Sequence, residues 1–269
     1  MARPWRIVFK EALYHVFSRG NEGRGIVADD VDRRRVLETF GDVAERFEMD
    51  IFAYVLMTNH YHLLLRTRQA NLSRAMQWFG TAYTRRFNNR HGRGGHLFQG
   101  RFKSILVEND AYLLQLSLYI HRNPLRAGLT ERLADYPWSS YRAYAYGRGG
   151  PDWLCTDLIL SQLQGKDPHK VYREKAKGYA EEEERLREDL RHGILLGGQE
   201  FVEKIRCGYL TAAVDEELPQ QRAVAKSVGV EHLARQAAEV FGWGRRRLRL
   251  VGESVESASW NGIWWLTGS

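Results

Sequence analysis

The chain switches between two hydrophobic periods. Residues 12–19, ALYHVFSR, alternate and then break at a glycine-bearing basic loop, which predicts a strand. Val31, Val36, Leu37, Phe40, Val43, Ala44 and Phe47 share one helical face, with Asp29 or Asp30 placed to cap it. IFAYVLM (51–57) is rich in strand formers, and a short Thr58–Asn59 turn joins it to HYHLLLRT (60–67), so the two read as a hairpin. Helical spacing returns at Leu72, Met76, Phe79, Tyr83 and Phe87, with Asn71 or Ser73 at its start. A glycine-punctuated segment then runs into a strand at about 102–108. DAYLLQLSLYIHRNPLRAGL predicts a last helix that ends around Pro124, because proline cannot continue the ladder.

The resulting order is β-α-β-β-α-β followed by one more helix. This is the split βαβ pattern of a ferredoxin-like, RRM-like α+β fold: an antiparallel sheet with helices on it and an added helix. We expect residues 1–150 to form this domain and residues 151–269 to form a mainly helical extension. In the extension, PHKVYREKAKGYAEEEERLREDLRHG interleaves acidic and basic residues and reads as a solvated helix. A further helix is expected over VEHLARQAAEVFGW, followed by GRRRLRL, and the final ASWNGIWWLTGS has no clear period.

Charge narrows the range of partners. Lys plus Arg number 40 against 33 Asp plus Glu, a net +7, which favours a polyanion, nucleic acid first and a membrane surface second. Two widely separated cysteines, Cys155 and Cys207, exclude a disulfide framework and a structural zinc site, and they fit a reducing compartment. No run reaches the roughly 18 apolar residues of a spanning helix. The N-terminus lacks a continuous apolar signal segment. A cytoplasmic, nucleoid-associated protein without a membrane partner is the expectation.

The candidate chemistry begins at His60–Tyr61–His62. Residues i and i+2 of a strand share a face, which sets the two imidazoles side by side, roughly 6–7 Å apart along the strand, with Tyr61 on the other side. They can chelate a cation if a third ligand faces them. They also read as two histidines on a half-exposed strand. The unbroken Leu63–Leu65 run argues that the strand is central and covered, so its histidines need partners. Tyr119 and Asn123 are i and i+4 on the last helix and share a face. Asn123 brings an amide oxygen and Tyr119 a phenol. On spacing alone, Tyr119 reads first as an aromatic that fills core.

Several blocks then occur in one order: YHVFSRGNEGRGI, AYVLMTNHYHLLLRT, NLSRAMQWFGTAYTRRFN, GGHLFQGRFKSILVEND, YLLQLSLYIHRNPLRAGL and DYPWSSY. Over roughly residues 10–145 the sequence resembles the single-tyrosine HUH transposases, in the branch called REP-associated tyrosine transposases. The resemblance implies that His60 and His62 are the metal-binding pair and that Tyr119, just upstream of Asn-Pro, is the nucleophile. Asn123 stands where relatives often carry a glutamine ligand. Tyr112, seven residues earlier, is the rival nucleophile.

The implied activity is a metal-dependent single-stranded DNA endonuclease and strand transferase acting on hairpin-containing DNA. Mg²⁺ or Mn²⁺ would orient the scissile phosphate and neutralise its charge. Attack by tyrosine would give a 5′-phosphotyrosine and a free 3′-OH, with no nucleotide cofactor. The branch recognises hairpins in REP-like palindromes. Arg19, Asn21, Arg85, Arg86, Arg93, Gln99, Arg101 and Lys103 are the expected DNA contacts, and Phe98 and Phe102 candidate stacking rings. For each, a solvated surface is the competing reading.

The extension also looks slightly like the start of the helical DNA-binding piece of replication initiators, incomplete at its end. The alternative function is a domesticated protein that binds structured single-stranded DNA with little cleavage. An RRM-like RNA binder is a third reading, but the RRM aromatic signature is not evident. The sequence does not distinguish a monomer from a homodimer.

Overall fold

The computed structural model describes residues 7–108, 111–178, 190–191, 195–198, 200, 201 and 205. Its elements are β1 (Ala12–Arg19), α1 (Asp30–Arg46), β2 (Met49–Leu56), β3 (His60–Thr67), α2 (Leu72–Arg90), β4 (Lys103–Val107), α3 (Ala111–Arg126), α4 (Tyr141–Tyr146), α5 (Asp157–Leu160), α6 (Pro168–Gly178), β5 (Leu190–Arg191) and β6 (Leu195–Leu196). The strands form one sheet in the order β2-β3-β1-β4-β6-β5. β2, β3, β1 and β4 pair antiparallel, which is the expected α+β ferredoxin-like arrangement.

The alternation along β3 sorts the core into two layers. Tyr61 points to the face covered by α1 and α2, where its ring lies 5.5 Å from that of Phe40 and 5.2 Å from that of Phe79. Phe79 and Tyr83 stack, and the Tyr83 hydroxyl donates to the Ile26 carbonyl at 2.6 Å. Asp29 caps α1 by accepting from the Val31 and Asp32 amides. His60 and His62 point to the other face, where α3 lies.

β2 is an edge strand, yet all eight of its residues are buried. Its outer edge is covered by chain that follows α3. The Leu56 amide donates to the Trp138 carbonyl at 2.8 Å, Ser140 N to Tyr54 O at 3.0 Å, and Cys155 N to Ile51 O at 2.9 Å. The Ser140 hydroxyl accepts from the Tyr54 amide. DYPWSSY therefore closes a sheet edge.

Three features depart from the sequence reading. First, α3 does not stop at Pro124 but runs on to Arg126. Proline leaves the carbonyl of Ile120 without its usual donor, and the Asn123 side-chain Nδ2 supplies one at 3.2 Å, with a second bond to Tyr119 O at 3.0 Å. Second, α6 is not merely solvated. Tyr172 and Ala176 are fully buried, and the Tyr172 hydroxyl bonds Ser117 Oγ at 2.8 Å and His121 Nδ1 at 2.7 Å, both on α3. Third, β6 pairs parallel with β4 and β5 pairs with β6, where only helix was expected.

Arg6–Gly198 forms one compact unit. A second unit comprises Met1–Trp5 and Gln199–Ser269, of which only Glu200, Phe201 and Ile205 are among the described residues. The helix expected over VEHLARQAAEVFGW, the basic GRRRLRL and the aromatic tail lie outside them. Among the described residues, no helix is long and apolar enough to cross a membrane.

Candidate active site

β1 and β3 pair in a register that sets Arg19 opposite His60, Phe17 opposite His62 and His15 opposite Leu64. Directly opposed residues share a face, so His15 joins the two histidines of β3. His60 and His62 stand with ring centroids 5.2 Å apart. His15 Nε2 lies 2.9 Å from His62 Nδ1, and the two rings are stacked at 5.1 Å. His60 Nδ1 lies 2.7 Å from Asn59 Oδ1.

Burial keeps all three rings uncharged. It lowers His15 to about 4, and burial with the Arg19 charge lowers His60 to about 4. His62 is held well below the usual histidine range by burial, then by its neighbours His15, His60 and Arg126. A neutral imidazole keeps one lone pair, which is the form that binds a cation.

α3 brings Tyr119 onto this cluster. The Tyr119 ring centroid is 6.2 Å from that of His62 and 5.9 Å from that of His15, both edge-on. The side chain is 6% exposed, and the Arg126 guanidinium lies 5.0 Å from its ring centroid. Asn123 is one turn on and half-buried, its Nδ2 committed to the helix carbonyls. Oδ1 is the atom with which it can serve as a ligand. Tyr112 lies two turns before Tyr119 on the same helix and is half-buried.

The expected DNA contacts divide by position. Gly20 turns the chain sharply after β1: a Cβ there would fall 2.0 Å from the Arg24 carbonyl oxygen. The turn brings Asn21 N to Leu97 O at 2.8 Å, and Gln99 N donates to Arg19 O at 2.9 Å. Arg19, Asn21 and Gln99 thus gather at the end of β1 beside His60. Lys103 is opposite Phe17 on β4 and shares the histidine face.

Arg93 and Arg101 are exposed in the segment between α2 and β4. Arg85 and Arg86 lie on α2, across the sheet from the histidines. Arg86 donates to Thr39 Oγ1 on α1 at 3.0 Å. Phe98 also packs on that far side, 6.0 Å from Tyr61 and 6.1 Å from Phe79, so its ring serves the core.

Residues 8–123 match the family model described as "Transposase IS200 like". Over this segment the chain is similar to the IS200-like transposases. The chain is similar to a Haemophilus influenzae protein named as a REP-associated tyrosine transposase, 25% identical over 113 residues. That match takes in 38% of this chain and 64% of the relative's length. Among solved structures, the chain is similar to a REP-associated tyrosine transposase bound to a REP hairpin, at 18% identity and a TM-score of 0.46. The alignment covers 59% of this chain and 93% of that one.

Within residues 8–123, sequence reasoning missed His15 and Asn59. The signal for His15 was available: it is the one imidazole within the alternating strand 12–19, in phase with Phe17 and Arg19. As a metal site, the donor set is two neutral imidazoles plus the Asn123 amide oxygen. It contains no carboxylate, and among the described residues no group of three or more His, Cys, Asp or Glu side chains is arranged around one point. Imidazole donors suit Fe²⁺, Ni²⁺, Cu²⁺ and Zn²⁺ best; of the two expected hard cations, Mn²⁺ accepts nitrogen more readily than Mg²⁺, which keeps a near-ideal octahedral oxygen shell.

Proposed function

We propose that this protein is a single-tyrosine DNA endonuclease and strand transferase that acts on hairpin-containing single-stranded DNA. The observation that carries the reading is the meeting of His60, His62 and Tyr119 on one sheet face, with the Tyr119 ring 6.2 Å from that of His62. Support also comes from the match of residues 8–123 to the IS200-like transposase model and from the likeness to one REP-associated relative.

His60 and His62 would hold a divalent cation, Mn²⁺ or Mg²⁺, with Asn123 Oδ1 as the third donor. When bound, the cation supplies Lewis-acid neutralisation of the scissile phosphate. The chain's own residues do the rest. Arg19, Asn21, Gln99 and Lys103 border the histidine face and would hold the DNA backbone. Arg93 and Arg101 would extend that contact along the exposed segment.

The Tyr119 phenolic oxygen bonds to phosphorus and the P–O3′ bond breaks. The proton lost by the phenol is balanced by one gained at the 3′ oxygen. The product is a 5′-phosphotyrosine, and the freed 3′-OH attacks it in the rejoining step. α3 holds the nucleophile through His121, Tyr172 and Ser117 on its other side, which limits where Tyr119 can swing.

The test is a gel assay for covalent DNA–protein adducts. It uses labelled hairpin and linear single-stranded oligonucleotides from the DNA flanking the gene, with and without Mn²⁺. A metal-dependent adduct that Tyr119→Phe removes establishes both chemistry and nucleophile. An adduct that survives in Tyr119→Phe assigns the nucleophile elsewhere, with Tyr112 next to test. Tight binding without any adduct replaces the reading with that of a structured-DNA binding protein.

A further inference from the structure

Both histidines of β3 have one ring nitrogen already engaged, and it is the same one. His60 Nδ1 faces Asn59 Oδ1 at 2.7 Å, and His62 Nδ1 faces His15 Nε2 at 2.9 Å. Asn59 is itself oriented, because its Nδ2 donates to the Gly23 carbonyl at 3.2 Å. That bond fixes which end of the amide His60 meets. A carbonyl oxygen only accepts, so the proton between them sits on His60 Nδ1 and the His60 Nε2 keeps its lone pair. The His15–His62 contact likewise holds a single proton between two ring nitrogens. His15 is 4% exposed, and its ring is flanked by Phe17 at 5.3 Å and Tyr119 at 5.9 Å, so it is confined where it stands.

We propose that Asn59 and His15 are positioning residues that set His60 and His62 as Nδ1–H tautomers and so direct both Nε2 lone pairs at one divalent cation. The proposal rests on the reading of His60 and His62 as ligands. A cation taken at His62 Nε2 needs the ring proton on Nδ1. His15 Nε2 accepts that hydrogen bond and keeps its own proton on Nδ1. No proton is gained or lost when the site fills, so the two rings are ready in the metal-free chain. Outer partners of this kind commonly fix ring orientation at metal sites. The rival arrangement has His15 binding the cation itself.

The direct measurement is long-range ¹H–¹⁵N NMR on the full chain with labelled histidine and no metal, which reads the protonated nitrogen of each ring. Both His60 and His62 should carry the proton on Nδ1. In Mn²⁺ titrations followed by EPR, Asn59→Ala and His15→Phe should each weaken binding by about 10–100-fold, whereas His15→Gln, whose amide oxygen can accept the same bond, should stay within about threefold. A His62 ring protonated on Nε2 in a wild-type chain that binds Mn²⁺ overturns the proposal and leaves the ligand reading intact. Equal loss in His15→Gln and His15→Phe makes His15 a ligand and also overturns it. A wild-type chain that binds no Mn²⁺ removes the ligand reading and the proposal together. The tautomer measurement needs no variant, so misfolding of His15→Phe does not blunt the test.

Discussion

The two faces of β3 differ by one residue in sequence and by everything in purpose. Tyr61 looks into a layer of rings contributed by α1 and α2, where Phe40 and Phe79 ask only for apolar area. His60 and His62 look the other way, into a layer where every ring nitrogen must be accounted for. A strand's two-residue period lets a single eight-residue stretch serve stability on one side and chemistry on the other. The two roles should therefore separate cleanly under mutation.

The largest separation is expected at the two tyrosines. Tyr119→Phe removes the nucleophile and should reduce covalent adduct below detection while DNA binding in a gel-shift assay is kept. Tyr61→Phe should leave adduct formation unchanged. Next is Phe79→Ala. It deletes a ring that is 1% exposed and should lower unfolding free energy by about 3–5 kcal/mol in urea titrations, with adduct yield falling only as folded protein is lost.

The third prediction concerns pH. Burial holds His15 at about 4 and His121 at about 3, against an ordinary 6.5. Below about 6.5 the unfolded chain takes up protons that the folded chain refuses. Stability is therefore fully present above that range and falls as pH drops toward about 4, by up to about 1.4 kcal/mol per pH unit for each such histidine. Urea unfolding at pH 7, 6 and 5 reads this slope. His121→Gln should flatten it by about one proton, and Tyr61→Phe should leave it alone. The smallest effect is expected at the arginines. Arg19→Ala should weaken DNA binding several-fold and reduce the salt slope by about 1, whereas Arg86→Ala, across the sheet, should change neither.

Much of this frame was legible before any coordinates. β1 and β3 have the predicted bounds, because turn residues mark their ends: Gly20 after Arg19, and Thr58–Asn59 before His60. The proximity of the β3 histidines to Tyr119 followed from strand parity and helix spacing once α3 was placed on that face. What escaped had physical reasons. The Pro124 rule failed because a neighbouring side chain supplied the missing donor. α6 was read as solvated because its charges hide a stripe made of little more than Tyr172 and Ala176. β5 and β6 have two residues each, too few to show any period. Phe98 and Arg86 were grouped with the DNA contacts by residue type and by the segments they lie on, and the fold sets them on the face opposite the histidines.

The covered edge of β2 bears on how this protein can be cut. Its main-chain groups are satisfied by Trp138, Ser140 and Cys155, all beyond the family-matched residues 8–123. A fragment trimmed to those boundaries would expose a long apolar strand with open hydrogen-bonding groups, a template for sheet-to-sheet aggregation. A soluble fragment should extend through α6, so that the chain carries its own lid for that edge and the α3–α6 bonds survive.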